Sequence, residues 1–389
     1  LNWMGNWHTN NEDLKRAIVY HHQALTIFQE LGDPQNLANT LDLLGIASLL
    51  TGDLNASAGY YDRAIDLSQE LNDRPRLASS LLGSATTVTA LAWLTLVPAP
   101  SLRDPMADIQ EALQIASELG LASEISWVHY SLGLQKTVQG EFEPALKHLQ
   151  ICLRHAINID HREWVATSHY ALGFFYSELF SMEQALHHLN TGLDLVGEHR
   201  FPLWEHFLSG ALAGAYLLMG DHKRAQASLD KVITSQTSMD TAAKRICWAR
   251  QAELALAQGD PTFALDITER LITSAPGMSP GRVITYLWKL KADALAAKGR
   301  TGEALVLMHE AINNANEFGE RFLLWRLHAG LAQLYCTMRR IDDAEKEHSL
   351  AQTLIDELSA TIADEILKNK FLQGADGILG TSPINISDR

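Results

Sequence analysis

Apolar residues recur along this chain with the spacing of one face of an α-helix, and a small residue sits in the middle of each apolar stripe. These small residues are Gly5, Gly45, Gly83, Gly133, Gly173, Ala213, Ala252, Ala292 and Ala332, at intervals of 40, 38, 50, 40, 40, 39, 40 and 40. Seven positions after many of them stands a turn glycine, at Gly52, Gly140, Gly220, Gly259 and Gly299. Such a residue ends a helix. Five residues beyond the turn an alanine opens the next helix, at Ala17, Ala145, Ala185, Ala225, Ala264, Ala304 and Ala344. A second small residue often follows on the same face, at Ala24, Ala64, Ala112, Ala311 and Ala351. Two antiparallel helices nest closely only where side chains at the crossing are small. The pattern predicts an all-α chain of about nine antiparallel helix pairs with a period of about 40 residues.

Leu44-Gly45, Gly52-Asp53, Tyr61 and Ala64 in one unit, Leu172-Gly173, Tyr176 and Ala185 in a later one, and Trp288, Ala292, Gly299 and Ala304 in another resemble the tetratricopeptide repeat. The likeness spans residues 1–358. It implies a right-handed α-solenoid. Tetratricopeptide units usually run to about 34 residues, whereas HEAT and armadillo units run to about 40. The spacing of small residue, turn and alanine is that of the tetratricopeptide family, which assigns the extra residues to the second helix and its exit. Helix-ending signals at Gly32-Asp33-Pro34, Asn72-Asp73-Arg74-Pro75 and Phe201-Pro202 fall where a lengthened second helix would stop.

The 50-residue interval holds an insertion over 96–105, where Pro98, Pro100 and Pro105 forbid a continuous helix and predict an exposed loop. Projecting the pattern back from Gly5 places the start of the first unit before Leu1, so a shortened first helix and a longer parent protein are expected. Residues 359–373 read as a short, polar capping helix of the kind repeat arrays need. Residues 374–389, with Gly374, Gly377, Gly380 and Pro383, read as a disordered tail.

Composition narrows the partners. The formal charge of −15 argues against direct contact with nucleic acid, whose affinity comes from Lys and Arg neutralising phosphates. Cys152, Cys247 and Cys336 are isolated, with no CxxC pair, which fits a reducing cytoplasm better than a disulfide framework. The uncharged stretch Leu77 to Leu102 has the length of a membrane span, yet it is rich in Ser and Thr and keeps the repeat register, so no membrane helix is expected.

No phosphate-binding loop, dinucleotide fingerprint or HExxH is present, so no catalytic residue and no cofactor are assigned. The doublets His21-His22 and His187-His188 project about 100° apart on a helix and cannot chelate together. His148 and His155 lie two turns apart and would need further ligands, so no metal is assigned either. The acidic pairs Asp342-Asp343 and Asp364-Glu365 stand near helix starts, where they favour the positive end of the helix dipole.

The first helix of each stacked pair lines the concave groove. Inward positions around the small residue are Trp127, Tyr130 and Leu134, then Tyr170 and Phe174, then Phe207, and finally Tyr286, Lys289, Asp293, Arg326 and Gln333. Aromatic groups there offer apolar area at little entropy cost, and the polar ones suit the carboxylate or backbone of a peptide. Units such as 61–67 and 145–149 are also similar to the C-terminal sensor regions of MalT-like transcription activators and other STAND-type bacterial signalling ATPases. That resemblance implies a non-catalytic, cytoplasmic regulatory module that receives a protein, a peptide or a small inducer. The alternative is a free-standing scaffold or chaperone adaptor that binds peptide segments.

Overall fold

Among residues 1–88, 96–98, 105–199 and 201–380, which the computed structural model describes, the chain forms helices joined by short connections. In order these are α1 (Asn2–Asn10), α2 (Leu14–Leu31), α3 (Pro34–Thr51), α4 (Leu54–Glu70), α5 (Arg74–Val88), α6 (Met106–Leu119), α7 (Ala122–Gln139), α8 (Phe142–Asn158), α9 (Arg162–Glu178) and α10 (Met182–His199). There follow α11 (Pro202–Leu218), α12 (His222–Leu229), α13 (Ala242–Ala257), α14 (Pro261–Thr273), α15 (Thr285–Ala297), α16 (Thr301–Phe318), α17 (Arg321–Thr337), α18 (Ile341–Ser359) and α19 (Glu365–Leu379). The first eighteen make nine antiparallel pairs, units 1 to 9, and α19 closes the array. The fold is an all-helical solenoid.

Local chemistry sets the helix limits. Asp13, Asp33, Asp53, Asp221 and Asp260 are N-caps, each accepting from the backbone N–H three residues on. Gly32, Gly52, Gly120, Gly140 and Gly319 take the left-handed conformation that ends a helix. The small mid-helix residues let a partner side chain lie on bare backbone. A Cβ added at Gly133 would come within 2.3 Å of Leu149, and one at Gly173 within 2.5 Å of Leu189. Tyr61 fills the space at both Gly45 and Gly83, so it ties unit 2 to unit 3.

The superhelix is tight enough that some units five apart meet. Helix α3 packs on α13, and α7 packs on α17. At the turn of unit 1, Glu12 accepts from Thr241 Oγ1 at 2.5 Å and lies 2.9 Å from His206 Nδ1, while Lys15 pairs with Asp240 at 3.3 Å. At the turn of unit 4, the Gly140 carbonyl accepts from Thr361 Oγ1 at 2.8 Å, and Phe142 meets Phe371 with ring centres 5.8 Å apart. The turn of unit 5 holds Phe180 in the left-handed region, φ 53°, where units 2, 4, 6, 7 and 8 carry glycine. Its ring packs against Phe371, Trp325 and Gly374, and a Cβ at Gly374 would come within 2.1 Å of it.

Three expectations are corrected by these contacts. Second helices are long in most units, but α12 has 8 residues and α14 has 13, and the remaining length forms the connections 230–241 and 274–284. Those connections carry the groups that touch units 1 and 2, Thr241 and Asp240 in one, Pro276 and Gly277 in the other. The end of the chain is helical beyond residue 373, because α19 buries Leu367, Phe371, Ala375 and Leu379 on one face. The predicted tail therefore begins no earlier than Gly380, and 381–389 lie outside the described residues. In the insertion, Leu96 and Val97 are buried rather than exposed, held between Arg245 and Gly52; 99–104 lie outside the described residues. Among the described residues no helix is long and apolar enough to cross a membrane.

Histidines at equivalent places in units 4 and 5 pair across their helices, His129 with His148 and His169 with His188, at Nδ1 to Nδ1 distances of 2.8 and 2.9 Å. One Nδ1 must donate and the other accept, so a pair cannot hold both rings charged. Burial lowers the pKa of His129, His169 and His188 to about 4. His206 is the opposite case. Its Nδ1 faces the Pro202 carbonyl and Glu12, and its Nε2 faces the Val232 carbonyl, so both nitrogens serve as donors. Burial opposes the charge, but Glu12 raises the pKa above its ordinary value.

Two outcomes are expected. The paired histidines bind fewer protons folded than unfolded, so their stabilisation is complete above pH 6.5 and is lost as pH falls from there toward 4; His206 contributes below pH 6.5 and loses its part as pH rises through its raised pKa. Urea midpoints measured from pH 4 to 9 should fall on both sides, and His169→Gln with His129→Gln should flatten only the acid side. Phe180→Gly should relieve about 1 kcal/mol of backbone strain yet lose about 3 kcal/mol or more of ring packing. Hydrogen exchange should then accelerate in α19 before the other helices.

Candidate functional site

The first helices of units 5 to 9 enclose a cavity of about 710 Å³ on the concave side of the superhelix. That volume lies in the range of small-ligand sites. Apolar walls come from Tyr170, Phe174, Ile246, Leu290 and Phe322, with Leu96 and Ile378 closing in from the insertion and from α19. Into this surface project three cations, Arg250, Lys289 and Arg326, and three anions, Glu178, Glu253 and Asp293.

Each charge is matched locally. Arg250 Nη1 donates to Glu253 Oε2 at 2.7 Å and to the Tyr286 hydroxyl at 2.5 Å, and the Tyr286 hydroxyl donates to the other oxygen of Glu253. Gly214 makes room for this arginine, since a Cβ there would lie 2.9 Å from Arg250 Nε. Burial works against the Arg250 charge, but Glu253, Tyr286 and Glu178 outweigh it and hold its pKa above the ordinary arginine value. Burial, reinforced by Glu253, pushes the Tyr286 hydroxyl well above the usual tyrosine range, so it stays protonated.

Arg326 Nη1 lies 2.9 Å from Glu178 and donates to the Phe322 carbonyl at 2.6 Å. Its guanidinium sits 4.5 Å from the Trp325 ring centre and 5.6 Å from that of Phe180, within cation–π range. Lys289 bonds Asp293 one helical turn on, at 2.7 Å. Such an arrangement offers hydrogen-bond donors and acceptors of both signs beside aromatic surface. It suits recognition of a polar, partly apolar molecule. Burial pushes the Cys247 thiol far above its ordinary value and that of Cys152 to about 12, which makes both packing groups rather than nucleophiles. Among the described residues, no group of three or more His, Cys, Asp or Glu could hold a metal ion.

Of the positions predicted from sequence, Tyr170, Phe174, Tyr286, Lys289, Asp293, Arg326 and Gln333 line the cavity. Trp127, Tyr130, Leu134 and Phe207 do not. Tyr130 and Leu134 are buried in the core, and Phe207 packs on Tyr170 with ring centres 5.4 Å apart. Trp127 is half-buried beside Trp164, its ring centre 6.4 Å away. Trp127 and Tyr130 both pack on Trp164 of α9, and the other end of α7 packs on α17 at Gly140, so the inner face of unit 4 is turned to neighbours rather than to the cavity. Sequence reasoning missed Arg250, Glu253, Glu178 and Leu96. Glu253 stands one position after Ala252, the register of Asp293 after Ala292, so the repeat itself carried the signal. Glu178 stands five positions after Gly173, the register of Ala257 after Ala252 and Thr337 after Ala332, so the repeat carried it too; Leu96 lies outside the repeat, and only the folded chain brings it to the cavity.

The sequence profile of the tetratricopeptide repeat family matches residues 1–70. No curated protein matches the chain. Among solved structures, the chain is similar to a Rap protein complexed with competence and sporulation factor, with TM-score 0.46 and 15% identity over 84% of this chain and 76% of that one. A tetratricopeptide repeat protein from Parabacteroides merdae gives TM-score 0.39 and 16% identity over 81% and 98%. A STAND protein with a tetratricopeptide repeat sensor from Pyrococcus horikoshii gives TM-score 0.43 and 12% identity over 85% of this chain and 51% of that one, about half its length. That matched segment is α1 to α4, and its helix-pair construction continues from α5 to α18, so the chain is an all-helical solenoid whose first 70 residues match the tetratricopeptide repeat.

Proposed function

We propose that this chain is a non-catalytic binding module whose partner, a peptide or a compact part of a protein, enters the cavity between α9 and α17. One observation carries the reading. Six charged side chains from α9, α13, α15 and α17 converge on one concave apolar surface, where a purely structural core would be apolar. In a regulatory protein such a cavity is a sensor: a partner that exchanges its own charges for the internal pairs draws the five inner helices together. The likeness of the repeat units to sensor regions of bacterial signalling ATPases favours a cytoplasmic regulatory role in signal transduction, including transcription control, over a free-standing scaffold.

Lys289 separates binding from stability. Its pair with Asp293 is partly exposed and spans one helical turn, a kind of contact worth about 0.5 kcal/mol or less. Lys289→Met should leave the melting temperature within about 2 °C of the wild type. Hits from a thermal-shift screen of peptides and metabolites should nonetheless bind the variant about thirtyfold more weakly by calorimetry. Hits whose affinity is indifferent both to Lys289→Met and to Asp293→Asn would place the binding site elsewhere.

A further inference from the structure

The insertion of unit 3 reaches the heart of the superhelix. Leu96 is 3% exposed and Val97 is 2% exposed, although sequence places them in a proline-rich connection. The Leu96 carbonyl accepts from Arg245 Nη2 at 2.7 Å, and the same nitrogen donates to the Leu271 carbonyl at 2.7 Å. Arg245 is itself wholly buried. Burial lowers its pKa to about 10, which leaves it charged at neutral pH. Val97 packs on Gly52, where an added Cβ would be 3.0 Å from Val97 Cγ1 and 3.9 Å from Pro276. Leu96 keeps a left-handed backbone, φ 52°, a conformation that persists for a branched residue only when its surroundings hold it.

The position of this segment relative to the cavity is specific. Along α13 the cavity wall runs from Ile246 to Ala257, and Arg245 is the residue just before that run. Leu96, bonded to Arg245, therefore stands at the N-terminal end of the wall. Beyond it lie Val97 and Gly52, at the end of α3 in the preceding superhelical turn. Among the described residues, every lining residue apart from Leu96 comes from α9, α11, α13, α15, α17 or α19. Eleven residues of α13 at 1.5 Å each give a depth of about 16 Å from Leu96 to the far end.

We propose that Leu96 and Val97 are a built-in stopper that makes the cavity blind at its inner end, so that the site selects for a chain terminus or a compact group and rejects a segment that would thread along the superhelix axis. The proposal rests on the reading of the cavity as a binding site. Leu96 sets the depth, Val97 wedges the segment against the first turn, and Arg245 anchors it. A ligand then enters from the side of Ala257 and Gln333, and its length inside the protein is limited by the wall.

Random heptapeptides displayed at a free N-terminus, at a free C-terminus, or embedded between two folded domains provide the test. On the wild type, a free-end library should enrich about tenfold or more over the embedded one, and Leu96→Gly with Val97→Gly should bring the embedded library to within about twofold. Embedded segments that enrich equally on the wild type overturn the proposal. If no library enriches on either protein, peptide binding fails, and the stopper is then judged by a measurement that needs no ligand. Leu96→Cys, in a Cys336→Ser background, should react with methyl methanethiosulfonate only through the cavity. Narrowing the far end with Ala257→Trp and Gln333→Trp, both at exposed lining positions, should slow that reaction about tenfold. An unchanged rate overturns the stopper whatever the peptide result.

Discussion

Contact between successive turns of the superhelix, at units five apart, is the constraint on which the rest of this protein depends. Solenoid units ordinarily touch only their neighbours, and their stability is a sum of local terms. Here Glu12 with His206 and Thr241, Gly140 with Thr361, and Phe180 with Phe371 add contacts between successive superhelical turns. They hold successive turns of the spiral against each other. A ligand in that axis meets five first helices at once, and any partner that changes the superhelix must break specific polar links.

Small residues make this closure possible. Bare backbone at Gly45, Gly133 and Gly173 brings the helices of a pair together with Tyr61, Leu149 or Leu189 lying across the gap. Departures from the repeat then serve the turn-to-turn contacts. The helices α12 and α14 stop early, and the freed residues reach back to units 1 and 2. Phe180 replaces a turn glycine and accepts backbone strain, because its ring is the docking post for α19. The charged cavity follows from the same geometry: Arg250 and Arg326 tolerate burial because Glu253, Tyr286 and Glu178 stand within bonding distance.

The candidate site was legible where it obeys the repeat. Tyr286, Lys289 and Asp293 lie at inward positions fixed by their distance from Ala292, and the cavity contains all three. The same register placed Trp127, Tyr130 and Leu134 on the inner face of unit 4, which packs on Trp164 of the next unit and, at Gly140, on α17. A periodic rule identifies which side of a helix faces inward. It does not say which stretch of the inner surface another turn of the superhelix will close.

What the sequence by itself determined is local: nine helix pairs, their caps, and the small residues at their crossings, because each depends on residues within one 40-residue unit. What only the tertiary structure decided is long-range. The pairing of Glu12 with His206 and Thr241, the burial of Leu96 beside Arg245, and the extension of the final helix to Leu379 join residues 149 to 229 positions apart, or a helix to a ring from another unit. They depend on how far the superhelix rises per turn. That pitch is the sum of many small rotations between units, and no motif within a unit encodes it.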